Sequence, residues 1–161
     1  MNAGRIWQHA AAFIPFRLST ASRSAKLSAF NERAEIVWFG FEGSYVDDST
    51  AVIAPVQIHP GTLGGGGSNA LNGGMISAGF DAAFVLAGLG HFEQDVVVTL
   101  ELSTRFLSLA RVQRSPCFRC GVVRSSRHFA FAQGVLASAD GAVFATATAM
   151  VAPSGRQGQA S

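Results

Sequence analysis

Lysine is nearly absent from this chain: of 12 basic residues only Lys26 is a lysine, and the formal net charge is +2. No interleaved basic and aromatic motifs occur, so the electrostatic footprint of a nucleic-acid-binding surface is missing. Cysteine is equally scarce. Cys117 and Cys120 form a lone CxxC, and the scattered His59, His91 and His128 do not complete the four ligands of a structural zinc. On a strand, a spacing of three points the two thiols to opposite faces, so reduced cysteines in a cytoplasmic protein are expected and a metal is not. Apolar runs long enough for a signal or a membrane span are lacking too, since residues 10–14 are bounded by His9 and Pro15. The run Gly64 to Gly67 lacks the Gly-Lys-Ser/Thr end of a P-loop, and no Gly-x-Ser-x-Gly elbow exists.

The 161 residues, 48% of them hydrophobic, suit one domain with a substantial core. The first 31 residues carry Arg5, Arg17, Arg23 and Lys26 with several serines and no acid before Glu32, a composition like that of a transit peptide. The preferred reading is an N-terminal extension over 1–33: an amphipathic helix packing Trp7, Ala11 and Ile14, then a Ser-rich linker. The main domain is expected over residues 34–152 and a disordered tail over 153–161. Glu35 to Phe41 reads as a strand, Asp47-Asp48-Ser49 as a turn, and Thr50 to Gln57 as a second strand. A glycine-dominated loop then leads to Asn72, a good helix N-cap. From Gly73 to Gly90 nearly every position is apolar or small, which predicts one long buried helix. Four strands follow, at about 95–108, 112–124, 127–138 and 142–151. The order ββαββββ makes an α+β domain whose antiparallel sheet wraps a single central helix.

Within that helix stands Asp81, the sole acid between Asp48 and Glu93. An unpartnered buried carboxylate costs several kcal/mol or is neutralised, so burial and function are linked explanations for it. At the other end of the helix, Asn72-Gly73-Gly74 presents free backbone N–H groups and the positive end of the macrodipole, a place where a carbonyl or an anion can be polarised. Simple capping by Asn72 is the plainer reading of the same residues. Eight residues separate Gly73 from Asp81, about 12 Å along the axis, so one helix cannot bring both to one reacting atom. Two copies packed antiparallel about a two-fold axis would do so twice.

The stretch from Leu71-Asn72-Gly73-Gly74-Met75 to Asp81 resembles the His-Gly-Gly motif and catalytic helix of hotdog-fold acyl-CoA thioesterases of the PaaI type. In that family an acid lies nine positions after the histidine, as Asp81 does after Asn72. The resemblance extends over roughly residues 35–152: Val96 to Leu109 is similar to the family's third strand, and Arg124-Ser125-Ser126-Arg127 and Asp140-Gly141 fall in its closing hairpins. It implies a hotdog fold, a homodimer or homotetramer, and hydrolysis of an acyl-CoA or related thioester with no cofactor beyond the coenzyme A of the substrate. By the same resemblance Asp81 is the base or nucleophile, the Gly73 N–H polarises the thioester carbonyl, and Thr99 helps to place water or carboxylate. Asn72 stands at the motif's histidine, where it can donate a hydrogen bond but cannot shuttle a proton at neutral pH. Gly74, Arg124, Ser126 and Arg127 are the residues assigned to the coenzyme A portion, the arginines as counter-charges to phosphate. A hotdog protein that binds acyl-CoA without turnover is the alternative.

Overall fold

The computed structural model describes residues 12–64 and 66–155. Trp7 and Ala11, expected on an N-terminal helix, lie outside the described residues, as does the tail beyond residue 155. Ile14 is half-buried, but in an extended segment: its N–H donates to the Val122 carbonyl at 2.8 Å. The Ser-rich stretch expected as a linker is helix α1, Thr20–Asn31, capped by the Ser19 hydroxyl, which accepts from the Ser22 N–H at 3.2 Å. Serine disfavours helix interiors only weakly, and here it opens the helix, the position it serves best.

The strand expected over Glu35 to Phe41 is also corrected. Residues Ala34–Phe39 form a short helix, α2, and the strand begins only at Phe41. Gly40 separates the two. Its left-handed φ of 68° closes the helix, with its N–H donating to the Ile36 and Val37 carbonyls, and a Cβ there would sit 2.3 Å from the Gln57 carbonyl oxygen. Five apolar residues around Glu35 carry no decisive period, and docking of Ile36 into the core overrides their β propensity.

Strand β1, Phe41–Tyr45, pairs antiparallel with β2, Ala51–Pro55, across a turn in which an Asp47 carboxylate oxygen accepts from the Ser49 and Thr50 N–H groups. The loop that follows contains a two-residue ladder, β3 at Leu63–Gly64 and β4 at Ala70–Leu71. Helix α3 spans Gly73–Leu89, with Asn72 as N-cap. The expected four strands are β5 (Val97–Phe106), β6 (Cys117–Ser125), β7 (Ala130–Ala137) and β8 (Val143–Pro153). Together they complete a six-stranded antiparallel sheet of order β1-β2-β6-β7-β8-β5.

The sheet holds α3 against its inner face. Phe80, Phe84, Leu86 and Leu89 of the helix are buried against Ile53, Phe118, Val122, Leu136 and Val151 of the strands. Each such side chain contributes roughly 1.5–3 kcal/mol of apolar burial. Gly79 is what lets the layers close. A Cβ at that position would fall 2.1 Å from the Phe118 ring, whose edge meets the Phe80 ring at 5.1 Å. Gly88 plays the same part near the C-terminal end, beside Val97 and Val151. One stripe of α3 escapes cover: Gly73, Gly74 and Asp81 are exposed, with Ser77 and Ala78 half-exposed between them.

The N-terminal segment is part of this body. Phe16 and Leu18 donate backbone N–H groups to the Asp48 and Gly90 carbonyls. Arg23 is buried, pairs with Asp48 at 3.1 Å, and lies over the Phe16 and Tyr45 rings at 4.7 and 5.5 Å. Nearby His91 is also buried, and neither ring nitrogen has a partner among the described residues. Burial, and then the positive charges of Arg17 and Arg23, hold its pKa down at about 4.

Two outcomes are expected. Gly79→Ala lowers stability by about 1–3 kcal/mol in thermal or denaturant unfolding, because the methyl group overpacks against Phe118. Because His91 binds its proton only in the unfolded chain between its ordinary pKa of 6.5 and about 4, stability falls as pH drops through that window. The loss amounts to as much as about 3 kcal/mol. His91→Leu flattens this part of the pH–stability curve; an unchanged slope would show that other groups cause the acid loss.

Candidate active site

The N-terminus of α3 is held by both halves of one amide. Asn72 Oδ1 accepts from the Met75 N–H at 2.8 Å, and Nδ2 donates to the Gly61 carbonyl at 2.9 Å. The first intrahelical bond is that from Ile76 N–H to the Asn72 carbonyl. This leaves the N–H groups of Gly73 and Gly74 without a partner among the described residues, at the positive end of a 17-residue helix. Both glycines are exposed, and the Phe106 ring flanks Gly73, 3.5 Å from where a Cβ would be.

Two turns along the same uncovered stripe, Asp81 opens into a cleft of about 330 Å³. Its carboxylate is exposed, contrary to the burial that its apolar neighbours imply, because the stripe on which it stands faces away from the sheet. Thr99 of β5 lines the same cleft. It precedes a bulge, where the pairing with β8 shifts between Thr99 and Glu101, and its Oγ1 is buried with no hydrogen-bond partner among the described residues. A bulge re-aims side chains, and an unpartnered buried hydroxyl is rare. The structure therefore brings Asp81 and Thr99 together. It leaves Gly73, Gly74 and Asn72 about two turns of helix away in the same chain.

Arg124, Ser126 and Arg127 lie elsewhere, at the β6–β7 turn. Ser126 organises that turn, its hydroxyl accepting from the His128 and Phe129 N–H groups, while both arginines are exposed. Strand registers place this turn at the same end of the sheet as the start of β5 and the end of β8, where α3 also terminates. Arg17 adds a third positive side chain there, donating to the Ser125 carbonyl at 3.4 Å.

Sequence reasoning missed one side of the cleft. Phe30, Arg33, Glu35, Ile36 and Phe39 line it opposite α3, from a segment expected as linker and strand. Only the apolar spacing of Ile36 and Phe39 hinted at a buried face. Strand β5 is an edge of the sheet, ten residues long, with Val98, Leu100 and Phe106 exposed. Long apolar edges rarely stand unpaired in soluble proteins.

Residues 68–145 match the model of the thioesterase superfamily, a span that contains both the α3 N-terminus and Asp81. Among solved structures, the PaaI protein of the E. coli phenylacetic acid degradation operon is similar at a TM-score of 0.69 and 14% identity, covering 85% of this chain and 97% of its own. A thioesterase family protein from Silicibacter pomeroyi gives 0.68 at 21% identity, over 81% and 96% of the two chains. A thioesterase from Haemophilus influenzae gives 0.68 at 13%, over 86% and 94%. No curated protein matches the chain. The six-stranded antiparallel sheet around one long helix is the hotdog fold, and the PaaI-like resemblance read from the sequence holds at the level of that fold.

Proposed function

We propose that the protein is a thioesterase that hydrolyses an acyl-CoA or a related acyl thioester at sites shared between two copies of the chain. The match to the thioesterase superfamily supports thioester hydrolysis as the general activity. The observation that carries the finer reading is the uncovered stripe of α3. It joins a helix start with two unpartnered N–H groups to a carboxylate in a cleft, too far apart to serve one site within a chain.

In a two-fold dimer with the β5 edges adjacent, the two stripes run antiparallel, and Gly73 of one protomer approaches Asp81 of the other. The small side chains at Gly74, Ser77 and Ala78 permit that approach. The thioester carbonyl then points at the Gly73 N–H, which stabilises the negative charge that develops on its oxygen. Asp81 takes a proton from water as the water oxygen bonds to the carbonyl carbon. When the carbon–sulfur bond breaks, the departing thiolate takes up that proton, giving a free acid and a thiol. Asp81 as nucleophile is the variant of this scheme, with an anhydride that water opens. Thr99 lines the cleft, and its buried hydroxyl, without a partner among the described residues, is the group that would hold the water or the carboxylate in place once substrate is bound. Asn72 supports the site by capping the helix turn that carries Gly73.

Coenzyme A is the carrier this reading favours, with Gly74 near the thioester and Arg124, Ser126 and Arg127 meeting the phosphates. A reducing, cytoplasmic setting suits the two free thiols, of which Cys120 is buried with its pKa well above the ordinary value. Among the described residues no helix is long and apolar enough to cross a membrane. One observation favours a second reading, a binder without turnover: the Asn72 amide is engaged at both its oxygen and its nitrogen in structural bonds and carries no titratable proton.

Asp81→Asn separates the two. Because Asp81 is exposed, the variant keeps its fold, and thiol release across a panel of acyl-CoA thioesters falls by at least about 100-fold. Wild-type protein that binds thioesters yet releases no thiol from any of them establishes the binder instead. Light scattering after gel filtration is expected to give a dimer or tetramer, and a fully active monomer contradicts the shared site.

A further inference from the structure

The cleft beside Asp81 has two walls of different origin. One is α3 with the start of β5, inside the span that matches the thioesterase superfamily. The other comes from residues 30–41, outside that span, and presents Phe30, Ile36, Phe39 and Phe41 with the charged Arg33 and Glu35 beside them. This second wall is braced. Phe30 is almost fully buried, and Asn31 bonds both backbone groups of Gly43, accepting from its N–H at 2.8 Å and donating to its carbonyl at 3.1 Å. Arg33 donates to the Asp95 carbonyl at 3.1 Å with its guanidinium 5.5 Å from the Phe30 ring, and Lys26 reaches the Glu93 and Gln94 carbonyls. The junction between α1 and α2 is thus tied to β1 on one side and to the segment before β5 on the other.

We infer that the α1–α2 segment is the acyl-selecting wall of the cleft, with Phe39 and Ile36 setting how long an acyl group is admitted. The inference rests on the thioesterase reading for the class of ligand. The part of the cleft that one chain supplies, about 330 Å³, is at the small end for ligand sites and suits a short chain or a single ring. Phe39 is the adjustable part of the wall. It is half-buried, stacks on Phe41 at 5.3 Å and meets Trp38 edge-on at 4.8 Å, so truncation opens the cleft while Phe30 and Phe41 remain seated. Ile36 is buried and closes the cleft more deeply.

The test uses non-hydrolysable acyl-CoA thioethers of graded chain length, acetyl to dodecanoyl, with affinity measured by calorimetry on wild type, Phe39→Ala and Ile36→Ala. Thiol release from the matching thioesters is followed in parallel. In wild type, affinity rises about fourfold per methylene until the cleft is full and then stops rising. Phe39→Ala moves that break to longer chains, and in turnover KM falls for the long substrates relative to the short ones. Ile36→Ala, checked for folding by its thermal transition, moves the break in the same direction. An identical break in wild type and both variants overturns the inference even if thiol is released. Shifted breaks without thiol release from any thioester uphold the wall and remove the thioesterase reading. Absence of binding to every thioether by wild type overturns both.

Discussion

A 17-residue helix with hardly a polar side chain cannot stand in water, and covering α3 is the constraint from which the rest of the molecule follows. Six strands wrap it, and each contact on the way is a matter of shape. Gly79 makes room for Phe118, Gly88 for Val97 and Val151, and the Phe80 and Phe84 rings stack at 5.9 Å beneath the sheet. The N-terminal segment finishes the work at the C-terminal end of the helix. There a Cβ on Gly90 would strike the Phe16 ring, and Tyr45 spends its hydroxyl on the Leu86 carbonyl. That closed end also encloses His91, which has no hydrogen-bond partner among the described residues, and this ties stability to pH.

A sheet can cover only part of a helix, and the part left over is chemically specific. Gly73, Gly74, Ser77, Ala78 and Asp81 form the remaining stripe: small residues, two N–H groups without a partner among the described residues, and one carboxylate. Running beside the open edge of β5, this stripe is the surface on which a second copy of the chain would complete both the core and the proposed site. In the proposed dimer, stability and chemistry would be joined there. Small side chains let helices approach, and the antiparallel approach is what would bring an oxyanion donor to a carboxylate that its own chain keeps about 12 Å from it.

The central parts of this arrangement were legible in the sequence because they obey local rules. Asn72 caps a helix by the usual chemistry of its amide, the apolar run that follows has no polar face, and the four closing strands are long enough for β-branched and aromatic residues to declare them. The departures came where local rules are weak. Residues 34–39 hold five apolar positions and Glu35 in a pattern that fits strand or helix, and only the left-handed Gly40 and the docking of Ile36 decide the matter. Serines at 19, 22 and 24 suggested a linker, yet Ser19 is a cap and the helix behind it is anchored by Phe30. Asp81 misled in another way. Its neighbours in sequence are apolar, but helical geometry places it on the one uncovered line, a fact that depends on which face the sheet takes. The spacing of Ile36 and Phe39 hints at a buried face, but the placing of the wall over residues 30–41 depends on long-range bonds from Asn31 and Arg33.

The shared site is the central claim, and subunit complementation tests it most directly. Gly73→Pro removes the donating N–H at the first helical position, where proline is well tolerated, and Asp81→Asn removes the carboxylate. Each homodimer is expected to be inactive. After the two are mixed, unfolded and refolded together, half of the dimers are hybrids with one intact site, so about a quarter of wild-type thiol release returns. No recovery from hybrids shown to have formed would mean that Gly73 and Asp81 do not act across a two-fold axis.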